Sequence, residues 1–261
     1  MTASPVGHRL PGRLPHWLPF LALVLPLLAV APAHADDDGP MEAINDYVVY
    51  SPTVVKGQSE IEFRAAQYRD SSVVLDSGRG YVFSVAHSFT DWWKTELYLG
   101  QFQRAPRQPN TLMAYEFENT FQLAPSGEFW ADPGFLLSYG FATHTGAANE
   151  LEFGPLFEKR SGRFTQRLNL IWERELGSAA ESHGYTFRSA YSLSYTLRTG
   201  FAPGLEVFLQ PKTDVYQLGP VIYGEHYFGA GEFEYSAGVT FAMSRNAPDA
   251  TLMLRLEYEF F

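Results

Sequence analysis

Histidine and serine are the side chains in this sequence that could together supply a nucleophile and its general base. His87 and Ser88 are adjacent. Neighbouring residues of a strand point to opposite faces, so this histidine cannot take the proton of this serine. Two residues after His144, where a serine on a strand would share its face, the chain has Gly146. The sequence therefore predicts no catalytic residue, and an enzyme would have to be assembled from residues far apart in the chain.

Metal and cofactor chemistry has as little support. The chain contains no cysteine, which excludes disulfides, thiolate metal ligands and a cysteine nucleophile. Asp132, Asp214 and Asp249 lack the spacing of a calcium-binding loop, and no glycine motif for phosphate is present. With 19 basic and 29 acidic residues, the chain also lacks the basic surface that a nucleic acid requires. We expect no metal, no cofactor and no nucleic-acid partner.

Charged residues that recur at every second position indicate a different kind of chemistry. In the stretch RFTQRLNLIWEREL, Arg163, Arg167 and Glu173 alternate with apolar residues such as Phe164 and Trp172. A period of two is that of a strand, so each such stretch has one charged and one apolar face. Acidic and basic side chains gathered on charged faces can form ion pairs or sort solutes by the sign of their charge.

Twelve stretches with strand character must position these faces. They cover residues 59–69, 80–89, 93–102, 112–122, 129–142, 149–159, 163–176, 185–198, 205–212, 217–228, 233–244 and 251–261. Strands of soluble sandwiches are nearer to about 5 or 6 residues, whereas these are long enough to cross a bilayer. Their connections alternate between short turns and longer polar loops, which is typical of outer-membrane barrels and has no explanation in a sandwich. We predict an all-β, transmembrane, antiparallel up-and-down barrel of about 12 strands.

The last stretch, TLMLRLEYEFF, has the pattern of a closing strand that directs a barrel into the outer membrane. Apolar residues at alternate positions lead to Tyr258 and Phe260, and Phe261 lies one residue beyond this register. Aromatic residues at strand ends settle at the level of the lipid headgroups. We predict that Tyr258, Phe260 and Phe261 anchor the strand in the membrane, with Phe260 facing lipid. The predicted partners are outer-membrane lipid and the barrel-assembly machinery.

The beginning of the chain has the features of an export signal. Arg9 and Arg13 precede an apolar run at residues 17–30, and Ala33-His34-Ala35 is a small-residue cleavage site. We predict that residues 1–35 are a cleaved signal peptide and that the protein lies in the outer membrane of a Gram-negative bacterium.

The rest of the chain forms one domain with a short lead-in. Residues 36–58 are predicted to be a periplasmic lead-in, and residues 59–261 to be the barrel. Pro52 interrupts the strand-like composition of DYVVYSPTVV, because proline cannot donate to a strand ladder. We leave open whether this part is a lead-in, an extra strand or a plug in the barrel mouth.

If the apolar faces meet lipid, the charged faces line the lumen. The residues predicted to line it are Glu60, Glu62, Arg64, Lys94, Glu96, Glu116, Glu118, Glu150, Glu152, Arg163, Arg167, Glu173, Glu175, Arg188, Arg198, Glu206, Lys212, Arg255, Glu257 and Glu259. Side chains fill a barrel of about 8 strands, whereas about 16 to 18 strands leave an open channel. A barrel of intermediate size has a thin charged passage or a lumen closed by ion pairs.

The favoured function is that of a porin-like outer-membrane channel for the passive passage of small solutes. The excess of acidic residues favours cationic or neutral solutes. Two alternatives stay open: an outer-membrane lipid-modifying enzyme, and a closed barrel that serves structure or surface interaction.

Four segments carry a resemblance to a known family. They are PTVVKGQSEIEF, SFTDWWKTELYLG, AYEFENTFQLAPSGEFW and FAPGLEVFLQ. The chain resembles the outer-membrane barrels or porins associated with the meta pathway of phenol degradation, in which a lysine-glycine pair precedes the first strand. The resemblance spans most of the chain after residue 35, and implies a barrel and a transport role. It assigns no functional residue.

Overall fold

The computed structural model describes residues 47–71, 76–105 and 108–261, so the predicted signal peptide lies outside the described residues. Twelve strands run through them. They are β1 (Ser59–Arg69), β2 (Arg79–Ser88), β3 (Trp93–Arg104), β4 (Thr111–Gln122), β5 (Asp132–Ala142), β6 (Asn149–Ser161), β7 (Phe164–Leu176), β8 (Thr186–Tyr195), β9 (Ala202–Gln210), β10 (Val215–Phe228), β11 (Gly231–Ala242) and β12 (Ala250–Phe260).

The strands form one closed barrel in which each pairs with its neighbours in the sequence. The first and last strands complete the closure, since β1 pairs antiparallel with β12 from Ser59 opposite Phe260 to Arg69 opposite Ala250. Every strand is thus paired on both sides, as the hydrocarbon core of a membrane requires. The prediction of an antiparallel up-and-down barrel of twelve strands is confirmed. In the described part of the chain, no helix has the length and apolar character to cross a membrane.

Around the middle of the barrel the outer surface is apolar, and the charged residues of the same strands point inward. Ile61 is 53% exposed, whereas the next residue along β1, Glu62, is 5% exposed. Leu137 and Leu252 are similarly exposed on other strands. Soluble proteins rarely expose a continuous apolar surface of this kind to water. This apolar surface faces lipid, and the protein is an outer-membrane barrel.

The two ends of the barrel differ in their connections. At the end where β1 begins and β12 ends, residues 162–163 join β6 to β7 and residues 229–230 join β10 to β11. At the opposite end, residues 70–78 and 177–185 form longer connections. Because single-chain barrels keep their short turns in the periplasm, the first end is the periplasmic end and the second is the extracellular end.

One periplasmic connection is longer than the alternation predicts, because β5 begins at Asp132 and not at residue 129. The Asp132 carboxylate accepts hydrogen bonds from Ser126 Oγ (2.7 Å) and Gly127 N (2.6 Å). Gly127 adopts a φ of 81°, a left-handed conformation that favours glycine. These bonds hold residues 123–131 in a closed turn, so pairing with β4 starts only after it.

A β-bulge shifts the inward-facing register of β3. Tyr98 and Gly100 oppose consecutive residues of β2, so Leu99 has no counterpart there. As a result Tyr98 and Gln101, three positions apart, both reach carboxylates inside the lumen. An extra residue of this kind is the defining feature of a bulge, and strict alternation does not reveal it.

Candidate functional site

The residues that precede the first strand lie inside the barrel. We call residues 47–55 the inner segment. Tyr50 N donates a hydrogen bond to Asn169 Oδ1 (2.7 Å), and Asn169 Nδ2 donates to Tyr50 O (3.0 Å). Nearer the periplasmic end, Val54 N donates to Gln122 Oε1 (2.8 Å). Side chains of the wall thus bind the main chain of the inner segment at two levels of the lumen.

Apolar contacts extend along the same path. The Tyr47 ring lies 5.1 Å from the Phe208 ring and 6.1 Å from the Tyr68 ring, between centroids. Val49 packs in a buried cluster with Phe208. Tyr50 packs against a second cluster, made of Leu136, Leu156 and Ile171. The inner segment therefore crosses much of the lumen, from near the end of β4 to the far part of β1.

Pro52 explains why this segment is not a thirteenth strand. It has no N–H to donate, and an interrupted chain must satisfy its buried polar groups in other ways. The side-chain amides of Asn169 and Gln122 accept hydrogen bonds from the main-chain N–H groups on either side of Pro52. The wall is also shaped to receive Pro52, since a Cβ added at Gly134 would lie 2.5 Å from the Pro52 Cβ. Part of the predicted lead-in, residues 36–58, thus lies in the lumen.

Several lumen residues are apolar and are not predicted by the alternation of charged residues. Leu136, Leu156, Ile171, Phe208 and Met253 point inward under the inner segment. Each interrupts the polar phase of its strand, as Met253 does between Leu252 and Leu254 in LMLRL. Apolar residues in a lumen require an apolar partner there. Such interruptions are the signal that could have indicated a buried inner segment.

Two acidic partners surround a buried arginine on one side of the lumen. Arg188 Nη2 lies 2.5 Å from Glu152 Oε2, and its Nε contacts Glu173. Because Arg188 is largely buried, the two carboxylates compensate a charge that water hydrates only in part.

A fully buried carboxylate ties the wall to the inner segment. Glu158 receives Arg160 Nε at 2.6 Å and Arg167 Nε at 2.7 Å. Ser51 Oγ of the inner segment donates to the same carboxylate at 3.0 Å. Glu158 of the wall, which is paired with two arginines, thus also accepts a hydrogen bond from the inner segment.

A second ionic network runs along β12 and β1. Glu62 lies between two arginines, with Arg64 Nε at 2.7 Å from its Oε1 and Arg255 Nε at its Oε2. Arg255 Nη2 continues the chain of charges to Glu257 Oε2 at 2.7 Å. Acids and bases alternate along this network, with two of each.

Another group of carboxylates is bound by neutral donors. Glu118 accepts from the Tyr98 hydroxyl at 2.8 Å, and Glu206 accepts from the Tyr223 hydroxyl at 2.6 Å. Glu116 accepts from the side chains of Gln101 and Ser138. Lys94, by contrast, is paired with Glu60 at 2.8 Å. The lumen therefore holds more carboxyl groups than its arginine and lysine side chains pair with.

The predicted lumen residues divide into those in strands and those in connections. Lys212 lies in the connection between β9 and β10 at the extracellular end. Arg163 and Arg198 lie in connections at the periplasmic end, with their guanidinium groups 5.9 Å and 5.7 Å from the ring centres of Tyr195 and Phe201. The other members of the set that occupy strands point inward. They are Glu60, Glu62, Arg64, Lys94, Glu96, Glu116, Glu118, Glu150, Glu152, Arg167, Glu173, Glu175, Arg188, Glu206, Arg255, Glu257 and Glu259.

The carboxyl-terminal aromatic residues take different positions. The Tyr258 and Phe260 rings stack with centroids 5.8 Å apart, on the face of β12 opposite Glu257 and Glu259. Phe261 follows the end of the strand and is 82% exposed. Glu259 points inward and accepts a hydrogen bond from Gln58.

A serine and a histidine meet on the outer face of the barrel. Ser59 Oγ lies 3.0 Å from His87 Nδ1, because the two residues are opposite one another in the β1–β2 pair. The His87 ring also packs edge-on against Phe89. A nucleophile needs an oriented base and a donor for the developing oxyanion, whereas the main-chain groups here belong to a sheet ladder. The pair is best explained as a cross-strand hydrogen bond.

Within the part of the chain that the structure describes, two cavities lie in the lumen beside the inner segment. One, of about 380 Å³, reaches the periplasmic turns and is lined by Arg167, Glu206 and Glu234 among others. The second, of about 420 Å³, reaches the extracellular connections and is lined by Glu116 and Glu150 among others. We call them the periplasmic and extracellular cavities.

The chain is similar in fold to outer-membrane barrels of known structure. The COG4313 outer membrane channel from Pseudomonas putida F1 aligns with a TM-score of 0.53 and 14% identity, over 82% of this chain and 97% of that one. The translocator domain of the autotransporter NalP from Neisseria meningitidis aligns with a TM-score of 0.49 and 15% identity, over 85% and 93%. The KdgM porin aligns with a TM-score of 0.47 and 10% identity, over 77% and 98%. No protein-family model and no curated protein sequence matches the chain.

Proposed function

We propose that the protein is an outer-membrane channel for the passive passage of small solutes, with a preference for cations. The observation that carries the proposal is the pair of polar cavities, one reaching each end of a barrel that crosses the membrane. The structure from Pseudomonas putida F1 that shares the fold is described as an outer membrane channel, which supports a channel over an enzyme. The resemblance to barrels associated with the meta pathway of phenol degradation also supports a transport role.

The preference for cations follows from the charges in the lumen. The inward-facing bases Arg64, Lys94 and Arg188 are each paired with a carboxylate. Glu116 and Glu118, however, are bound by neutral donors. Rings and rows of carboxylates favour cations in channels, because their field replaces part of the hydration that the ion loses. The inner segment narrows the space, which strengthens that field.

Neutralising the acids that are bound by neutral donors is expected to weaken the preference for cations. In Glu116→Gln/Glu118→Gln, we expect a lower potassium-to-chloride permeability ratio, measured from the reversal potential of single channels under a KCl gradient. Glu128→Gln is the matched control, because Glu128 is exposed in the periplasmic connection 123–131. An unchanged ratio would contradict the assignment of selectivity to this pair. A folded wild-type barrel without conductance steps would contradict the channel and favour a closed barrel.

We further propose that the closing strand is the contact for the barrel-assembly machinery and that residues 1–35 are removed during export. The support is the register of β12, in which Phe260 ends the strand and Phe261 lies beyond it. Phe260→Ala is expected to lower the amount of folded barrel in the outer-membrane fraction several-fold, while Phe261→Ala has little effect. Heat-modifiable gel migration measures the folded fraction. Amino-terminal sequencing of the exported protein is expected to show that its first residue is Asp36. Equal loss in both variants would contradict the special role of Phe260.

A further inference from the structure

The two cavities of the lumen approach each other at one place. The periplasmic cavity is bounded by the inner segment at Tyr47 and Val49, and the extracellular cavity is bounded by it at Tyr50. Arg64 and Val82 contribute to the lining of both cavities. We call this place the junction. These two side chains therefore lie at the boundary between the two cavities.

Arg64 is held firmly at the junction. Its Nε lies 2.7 Å from Glu62 Oε1, and its guanidinium carbon lies 4.9 Å from the centre of the Tyr98 ring. The ion pair and the aromatic face restrain the guanidinium from two directions. The positive charge therefore occupies a defined position where the passage is divided.

The charge of Arg64 opposes the charge of the cavities on either side. Glu206 and Glu234 line the periplasmic cavity, and Glu116 and Glu150 line the extracellular one. Carboxylates raise the local concentration of cations in such cavities. An arginine between them acts in the opposite sense, because a cation gains energy in each cavity and loses it beside a guanidinium.

We propose that Arg64 is the residue that limits the passage of cations through this protein. The inference rests on the proposed channel function and names the residue that determines its rate and selectivity. The acidic cavities admit cations, including the amine groups of small solutes, and Arg64 slows their transfer at the junction. Neutral polar solutes do not meet this barrier, so they pass the junction at a rate set by its width.

The test compares two arginines that share one partner. Arg64 and Arg255 both contact Glu62. Arg64 lines both cavities, whereas Arg255 lines only the periplasmic cavity. In planar bilayers with KCl, Arg64→Gln is expected to raise the unitary conductance and the potassium-to-chloride permeability ratio several-fold. Arg255→Gln, which removes the same charge from the same carboxylate, is expected to change both quantities much less.

The absence of cysteine from the chain allows the charge to be restored chemically. Arg64→Cys is expected to behave like Arg64→Gln, and labelling with 2-aminoethyl methanethiosulfonate, which attaches an ammonium group, is expected to return the conductance towards the wild-type value. Labelling with methyl methanethiosulfonate, which attaches a neutral group, is expected to leave the conductance of Arg64→Cys unchanged. If the Arg64 variants do not fold, as judged by heat-modifiable migration, Glu62→Gln provides the opposite test. It leaves Arg64 without its paired carboxylate, while Arg255 keeps Glu257, so cation conductance is expected to fall.

The outcomes separate this inference from the channel function. Equal values for wild type, Arg64→Gln and Arg255→Gln, or equal changes in the two variants, would overturn the role of Arg64 while the channel stands. A rise in cation conductance in Glu62→Gln would overturn it as well. A folded wild-type protein that conducts no current would overturn the channel itself.

Discussion

Replacing residues 47–55 with a glycine-serine sequence of the same length is expected to raise the single-channel conductance several-fold. The inner segment occupies the lumen through side chains that pack on both buried clusters and through main-chain bonds to Asn169 and Gln122. A glycine-serine chain keeps the length but behaves as a flexible coil. It cannot fill the space above Leu136, Leu156 and Ile171, so water and ions gain a wider path. Conductance in planar bilayers measures the effect.

A single substitution in the wall tests the same idea without altering the inner segment. Gly134→Ala places a methyl group 2.5 Å from the Pro52 Cβ and 3.0 Å from Phe121 O, distances at which atoms overlap. We expect displacement of the inner segment and a higher or more variable conductance. Gly140→Ala is the control, since its nearest contact would be an ordinary 3.6 Å to the Glu150 Cβ.

The double variant Gly134→Ala/Pro52→Gly distinguishes displacement of the inner segment from damage to the wall. It removes the Pro52 Cβ that the new methyl group meets, so conductance is expected to return towards the wild-type value.

If the glycine-serine replacement leaves the conductance of a folded barrel unchanged, the inner segment does not restrict the passage.

Arg188→Met is expected to lower the free energy of unfolding by about 3 to 5 kcal/mol, the usual cost of removing one partner from a buried ion pair. The methionine roughly keeps the volume of the side chain, but Glu152 and Glu173 both lose the guanidinium that compensates them. Two carboxylates whose side chains are only 12% and 15% exposed then face each other, and their repulsion adds to the desolvation cost. Urea titration of tryptophan fluorescence in lipid vesicles measures the change.

Arg160→Met is the matched control for this prediction. Arg160 also pairs with an acid, but its side chain is 62% exposed, and Arg167 continues to compensate Glu158. We expect a loss within about 1 kcal/mol, as for exposed ion pairs. The triple variant Arg188→Met/Glu152→Gln/Glu173→Gln is expected to regain much of the lost stability. Equal losses in the two single variants would show that burial of the Arg188 pairs contributes little.

The architecture could be predicted from the sequence because it depends on a local property. Each strand has its own period of two, and a shift of one residue would move every apolar side chain into the lumen. The alternation in TLMLRLEYEFF thus indicates both that β12 is a strand and which face meets lipid. Twelve such stretches with short and long connections leave a closed barrel as the arrangement that pairs all their edges.

The contents of the lumen depended on contacts between residues far apart in the chain. Tyr50 meets Asn169 and Ser51 meets Glu158 across more than a hundred residues. Strand periodicity carries no information about such pairs, and Pro52 removed the alternation that would have marked the segment as structured. The partners of Arg64 and Arg188 likewise follow from registers between strands, which the bulge in β3 shifts locally. The sequence by itself determined a membrane barrel with a charged interior, since patterning within each strand suffices for that. Only the tertiary structure decided that residues 47–55 divide this interior and that Arg64 lies at the junction, because both result from closure of the barrel around them.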